Sequence, residues 1–97
     1  MIARMWETRL RDGLLDEFCQ WVRDEVWPQF LTTDGFSGGE VYRSDVDNRV
    51  VVVTQWLDDE ALLVGYDWFD LGAERFSARA PDAWEFTQVE TATQVSH

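Results

Sequence analysis

Residues 49–56, RVVVVTQW, carry four valines in a row before the chain turns polar at Thr54 and Gln55 and closes on Trp56. A strand with water on one face alternates apolar and polar residues, so an unbroken valine run predicts a strand covered on both faces for half its length. The flanking sequence says what lies against each face.

Upstream, residues 1–10, MIARMWETRL, alternate loosely, with Ile2, Arg4 and Trp6 on one side, and read as a first strand ended by RDG. From Leu14 the apolar positions step by four, Leu14, Phe18, Val22, Val26, Phe30, which is the one-sided stripe of a helix. Asp12 is its expected N-cap, with Asp16 and Glu17 at the positive end of the helix dipole. Pro28 removes a backbone hydrogen bond within this stripe and predicts a kink or early end near Trp27. TTDGF then finishes the element, with Gly35 as a left-handed cap.

EVYRSDVDNRVVVVTQW reads as a hairpin, two strands around a turn rich in Asp and Asn. A second helix follows, capped by Asp58, with Asp59 and Glu60 in its first turn; Gly65 is expected to interrupt it. A further helical piece over 70–80 would place Leu71 and Phe76 on one side, and Pro81 stops it. AWEFTQVET, 83–91, is a final strand. Residues 1–92 read as a single domain and 93–97 as a polar tail.

The order is β-α-β-β-α-β: an α+β, ferredoxin-like antiparallel sheet with both helices on one face, because each crossover is right-handed. The other face is left open, and an apolar open face marks an interface. The valine run therefore predicts a homodimer formed sheet to sheet.

Eight Lys and Arg against 19 Asp and Glu give a net charge of −11, which repels phosphate backbones and anionic bilayers and argues against nucleic-acid or membrane partners. The start of the chain has no apolar core and cleavage site of a secretory leader, and the single cysteine, Cys19, suits a reducing compartment; the expected location is cytoplasmic. His97 is the lone histidine and no carboxylate spacing closes a metal site, so no metal is expected.

The first helix with Pro28, the DGF at Gly35 and Phe36, the hairpin, and the LDDEAL that opens the second helix together resemble the antibiotic biosynthesis monooxygenase family of the dimeric α/β-barrel superfamily. The resemblance spans residues 1 to about 90 and implies a pocket between helices and sheet. It also implies an activity among those of the family, which include cofactor-free oxygenation of polycyclic phenols, haem degradation, quinol oxygenation and sugar-phosphate isomerisation. Trp6 at the first-strand position, and no histidine before His97, speak against the haem-degrading branch.

A cofactor-independent monooxygenase acting on an aromatic or polyketide-type molecule asks little of the protein. The pocket must stack a ring and stabilise the anion that donates an electron to dioxygen. Indoles and an arginine suffice. The candidate ligand-binding residues are Arg4 and Trp6 on the first strand, Trp21 beside the first helix's stripe, Tyr66 and Trp68 near Gly65, and Arg75 on the following turn. All but Trp21, which is placed at the cavity edge, have a plain alternative: Trp6 as core, Tyr66 and Trp68 as a buried corner, Arg4 and Arg75 as surface ion-pair partners. Two other functions stay open, a non-catalytic dimeric binding or accessory protein, and an isomerase or cyclase using the same cavity.

Overall fold

The computed structural model describes residues 1–93; of the polar tail, 94–97, including His97, lie outside the described residues. Strands β1 (Ile2–Arg9), β2 (Phe36–Ser44), β3 (Arg49–Trp56) and β4 (Asp82–Thr87) form one sheet in the order β2-β3-β1-β4, every neighbouring pair antiparallel. This is the expected α+β, ferredoxin-like arrangement, with the helical segments packed against one face.

The register divides the opening stretch. Ile2, Arg4, Trp6 and Thr8 pair with Trp56, Thr54, Val52 and Val50, and this set faces the helices. Val50, Val52, Thr54 and Trp56 are at most 1% exposed. Val51 and Val53 fall on the opposite face with Met5, Trp84 and Phe86. The run is therefore an ordinary period-two strand whose two faces are both apolar.

The first helix is three pieces: α1 (Leu15–Trp21), a π-helical turn (Val22–Val26) and α2 (Trp27–Leu31). Pro28 has no N–H to donate, and the wide turn just before it absorbs the irregularity, with the Trp27 N–H reaching Val22 O. The turn also explains the stripe. Apolar residues spaced by four drift roughly 40° per step around an α-helix, and the extra residue of a π turn reverses that drift. Phe18, Val22, Val26 and Phe30 are accordingly all fully buried. Asp12 does not cap α1: the helix starts after Leu14, with no side-chain cap bond, because Gly13 (φ 80) bends the chain between Asp12 and the first turn. Gly35 does adopt the left-handed conformation, φ 89.

The second helix, α3 (Asp59–Ala73), is capped by Asp58, whose carboxylate accepts from the Ala61 N–H at 2.9 Å. It runs unbroken through Gly65. The glycine serves packing instead: a Cβ there would collide with the Trp56 ring, so its absence lets the helix lie directly on that indole. The separate helical piece over 70–80 does not form. Asp70 to Ala73 belong to α3, one 3-10 turn (Glu74–Phe76) follows, and Leu71 and Phe76 part company, 75% and 4% exposed. β4 is shorter than the expected 83–91; beyond Thr87 the Gln88 N–H still reaches Met1 O.

The core between helices and sheet is aromatic, with Trp6 stacked on Phe18 and Phe30 edge-on to Trp56. Each such fully buried side chain contributes about 1.5–3 kcal/mol. No helix among the described residues is long and apolar enough to cross a membrane.

Candidate functional site

β1 runs beneath the C-terminal half of α3, and the 3-10 turn carries the chain away toward β4. These segments leave a hollow of about 490 Å³, within the usual range for small-molecule sites, lined by Trp6, Asp70, Ala73, Ser77, Arg79 and Pro81 among others.

Trp6 forms part of the wall of this hollow and is itself fully buried, fixed by stacking on Phe18 (5.8 Å between ring centres) and by the edge of Phe69 (5.0 Å). Its indole nitrogen is buried and makes no hydrogen bond. A buried donor without an acceptor costs about 1–3 kcal/mol, so folded proteins seldom leave one where no ligand or water can reach it.

Asp70 stands beside it, three turns into α3 and about half exposed. Burial raises its pKa above the ordinary 3.8; Arg4 and the nearby Trp6 N–H, which favours the charged form without reaching hydrogen-bond geometry, offset part of this. Asp70 also lines a second recess of about 320 Å³, together with Arg4, Tyr66 and Leu63, so one carboxylate separates two openings.

Arg4 reaches this point from β1. Its guanidinium lies 4.1 Å from the centre of the Tyr66 ring and forms loose ion pairs with Asp70 (3.8 Å) and Glu85 (3.7 Å). Its Nε is buried and unbonded, so Arg4, like Trp6, keeps donor capacity in reserve.

Tyr66 is committed elsewhere. Its hydroxyl bonds Thr54 Oγ1 at 2.8 Å, and the Trp56 indole donates to the same oxygen at 2.9 Å. Burial pushes its pKa up to about 12, so the phenol stays protonated at neutral pH and supplies a ring under Arg4 rather than a base.

The six sequence candidates thus divide. Arg4, Trp6 and Tyr66 gather around Asp70. Trp21, Trp68 and Arg75 form a second group where the first helix meets the end of α3: Trp21, itself buried, stacks on Trp68 at 5.9 Å, and Arg75 lies over Phe76 (4.3 Å) and Trp21 (5.3 Å). None of these three lines either opening at Asp70. Arg75 pairs with neither Asp70 nor Glu74; it donates to Gly72 O at 3.1 Å.

Asp70 is the residue that sequence reasoning missed as a functional group. The available signal was its position one helical turn after Tyr66, which puts both on the face that meets Arg4. Among the described residues no three His, Cys, Asp or Glu side chains gather into a metal-binding set.

No family model matches the chain, and no curated protein matches it. Solved structures do. A monooxygenase from Streptomyces coelicolor, ActVA-Orf6 in complex with nanaomycin D, superposes with a TM-score of 0.74 at 14% identity, covering 97% of this chain and 92% of its own. A variant of SnoaB, a cofactor-independent oxygenase from Streptomyces nogalater, gives 0.76 at 18%, covering 96% and 97%. A candidate antibiotic biosynthesis monooxygenase from Bordetella bronchiseptica gives 0.74 at 22%, covering 92% and 97%. The chain therefore has the fold of the antibiotic biosynthesis monooxygenases, over nearly its whole length.

Proposed function

We propose that this protein is a cofactor-independent oxygenase that oxidises a phenolic, anthrone-like aromatic in the hollow beside Asp70. The observation that carries this reading is the fully buried, unpartnered Trp6 N–H next to a carboxylate whose pKa is raised. Two of the similar structures, a cofactor-independent oxygenase and a monooxygenase holding nanaomycin D, support the same reaction class.

Asp70 takes a proton from the activated ring carbon or phenol, and its raised pKa makes it a better base than an ordinary carboxylate. The substrate anion gives one electron to dioxygen, and the radical pair couples to a carbon–oxygen bond. Protonation yields a hydroperoxide. Loss of the remaining proton from that carbon breaks the oxygen–oxygen bond and releases water, so a methylene and one dioxygen become a carbonyl and one water. Arg4 and the Trp6 N–H supply positive charge and a donor to the anion.

The working unit in this proposal is a homodimer joined through the open sheet face. Met5, Trp84 and Phe86 are 39%, 46% and 54% exposed there, and Val51 and Val53 extend the patch on the neighbouring β3, with Met5 paired to both Val53 and Trp84. Such a patch is of the kind that a second copy covers.

The test follows oxygen uptake and quinone formation with anthrones and hydroquinones, comparing wild type with Trp6→Phe and Asp70→Asn. Turnover that falls in both variants supports the reading. No turnover across the panel by folded wild-type protein removes it.

A further inference from the structure

All eight basic residues of this acidic chain are arginines, and three of them, Arg9, Arg49 and Arg79, line one recess of about 300 Å³ at an end of the open sheet face. Arg9 and Arg49 are direct cross-strand partners on β1 and β3, an arrangement that repels when nothing lies between the charges. Arg79 joins them from the loop before β4. That loop is pinned to β1, with the Ala78 N–H bonded to Arg9 O at 2.8 Å and the Thr8 hydroxyl donating to Arg79 O at 3.1 Å.

One buried carboxylate organises the group. Glu7, 7% exposed, accepts from Arg79 Nη2 at 2.6 Å on both oxygens and from Arg49 at 3.0 Å. Arg79 Nη1 turns to Asp82 at 3.2 Å. Two guanidiniums are thereby held in fixed orientation by their acids. Arg9 has no ion pair among the described residues, and Arg49 has a single acid, shared with Arg79. Three positive charges face two negative ones, with free N–H donors left on Arg9 and Arg49. Oriented guanidinium forks of this kind match the oxygens of phosphate and carboxylate groups.

We propose that this recess is a binding site for a doubly charged oxyanion of the phosphate class, either the free ion or the headgroup of a small phosphate ester. It adjoins the hollow at Asp70 across the loop before β4, since Arg79 lines both, but Arg9 and Arg49 line this recess and not the hollow. Anion binding would also relieve the Arg9–Arg49 repulsion, which gives the ligand a differential effect on the folded chain.

The experiment is calorimetric titration of the full chain with inorganic phosphate and with phenyl phosphate, against chloride at matched ionic strength. The variants are Arg9→Gln and, as a distant control, Arg23→Gln. Arg9→Gln leaves both Glu7 ion pairs intact, so the fold is kept. We expect phosphate binding above the chloride background, weakened about tenfold or more in Arg9→Gln and unchanged in Arg23→Gln. A response to inorganic phosphate identifies the ion as sufficient, and one confined to phenyl phosphate identifies the ester. Equal behaviour of phosphate and chloride, or an Arg9→Gln protein that binds as wild type does, overturns the proposal. So does an affinity that falls as protein concentration rises, since a second copy's carboxylate is then the occupant.

Discussion

Trp6 and Asp70 line one hollow, the first with a buried indole N–H that has no acceptor, the second with a carboxylate whose ionisation burial disfavours. Neither group is what a well-satisfied core would contain, and a ligand that accepts from one and gives a proton to the other resolves both. Asp70→Asn should lower turnover about a hundredfold or more, the ordinary worth of a general base. Because the folded-state pKa is raised above 3.8, ionised Asp70 costs the fold stability above that pH. The variant should therefore melt at or slightly above the wild-type temperature at neutral pH. In the wild type, kcat should fall as acid protonates Asp70, beginning above the usual carboxylate range. A variant that loses both activity and thermal stability would point to a structural role instead.

Glu7 has the opposite sign. Burial alone would raise its pKa, but hydrogen bonds and charge from Arg79 and Arg49 outweigh that and hold it below 4.5. Its stabilisation is complete above the unfolded-state value and is lost as pH falls through the lower folded one. Glu7→Gln should cost about 2 kcal/mol at pH 7. The gap from wild type should close in acid, measured by denaturant unfolding at several pH values between 7 and 3.

Thr54 Oγ1 is shared by the Tyr66 hydroxyl and the Trp56 indole inside the core. Thr54→Val keeps the shape and strands both partners, each at about 1–3 kcal/mol. Thr54→Ser keeps the oxygen and should recover most of the loss. Thermal unfolding of the two variants, with a Tyr66→Phe double-mutant cycle, measures how much of the effect belongs to the pair.

The open sheet face should hold two protomers together. Light scattering at micromolar concentration is expected to give twice the 11.3 kDa chain mass, and Val53→Asp, which puts a charge at the centre of that face, is expected to give one. A wild-type monomer rules out the sheet-to-sheet arrangement.

The fold was legible where periodicity speaks. The valine run, the four-residue stripe from Phe18 to Phe30 and the Asp58 cap each lead from sequence to element without tertiary information. Gly65 was misread because a helix-breaking propensity of about 1 kcal/mol is small beside the packing it permits against Trp56. Asp12 failed as a cap because Gly13 redirects the backbone after it. At the site, the alternation of β1 placed Arg4 and Trp6 on the helix side, but Asp70 was invisible among 19 acids. Its distinction is partial burial beside an unpaired indole, a property of the assembled fold. Trp21, Trp68 and Arg75 share residue types with a pocket, yet the chain stacks them on one another away from the Asp70 hollow.

The most direct measurement follows the six indole N–H signals by nitrogen-15 NMR while an anthrone is added under nitrogen, with the Trp6 signal assigned by its disappearance in Trp6→Phe. The Trp6 resonance should move downfield with saturation as its N–H gains an acceptor, while that of Trp56, already bonded to Thr54, stays in place. A Trp6 signal that does not move when the ligand is bound contradicts the assignment of the hollow as the site.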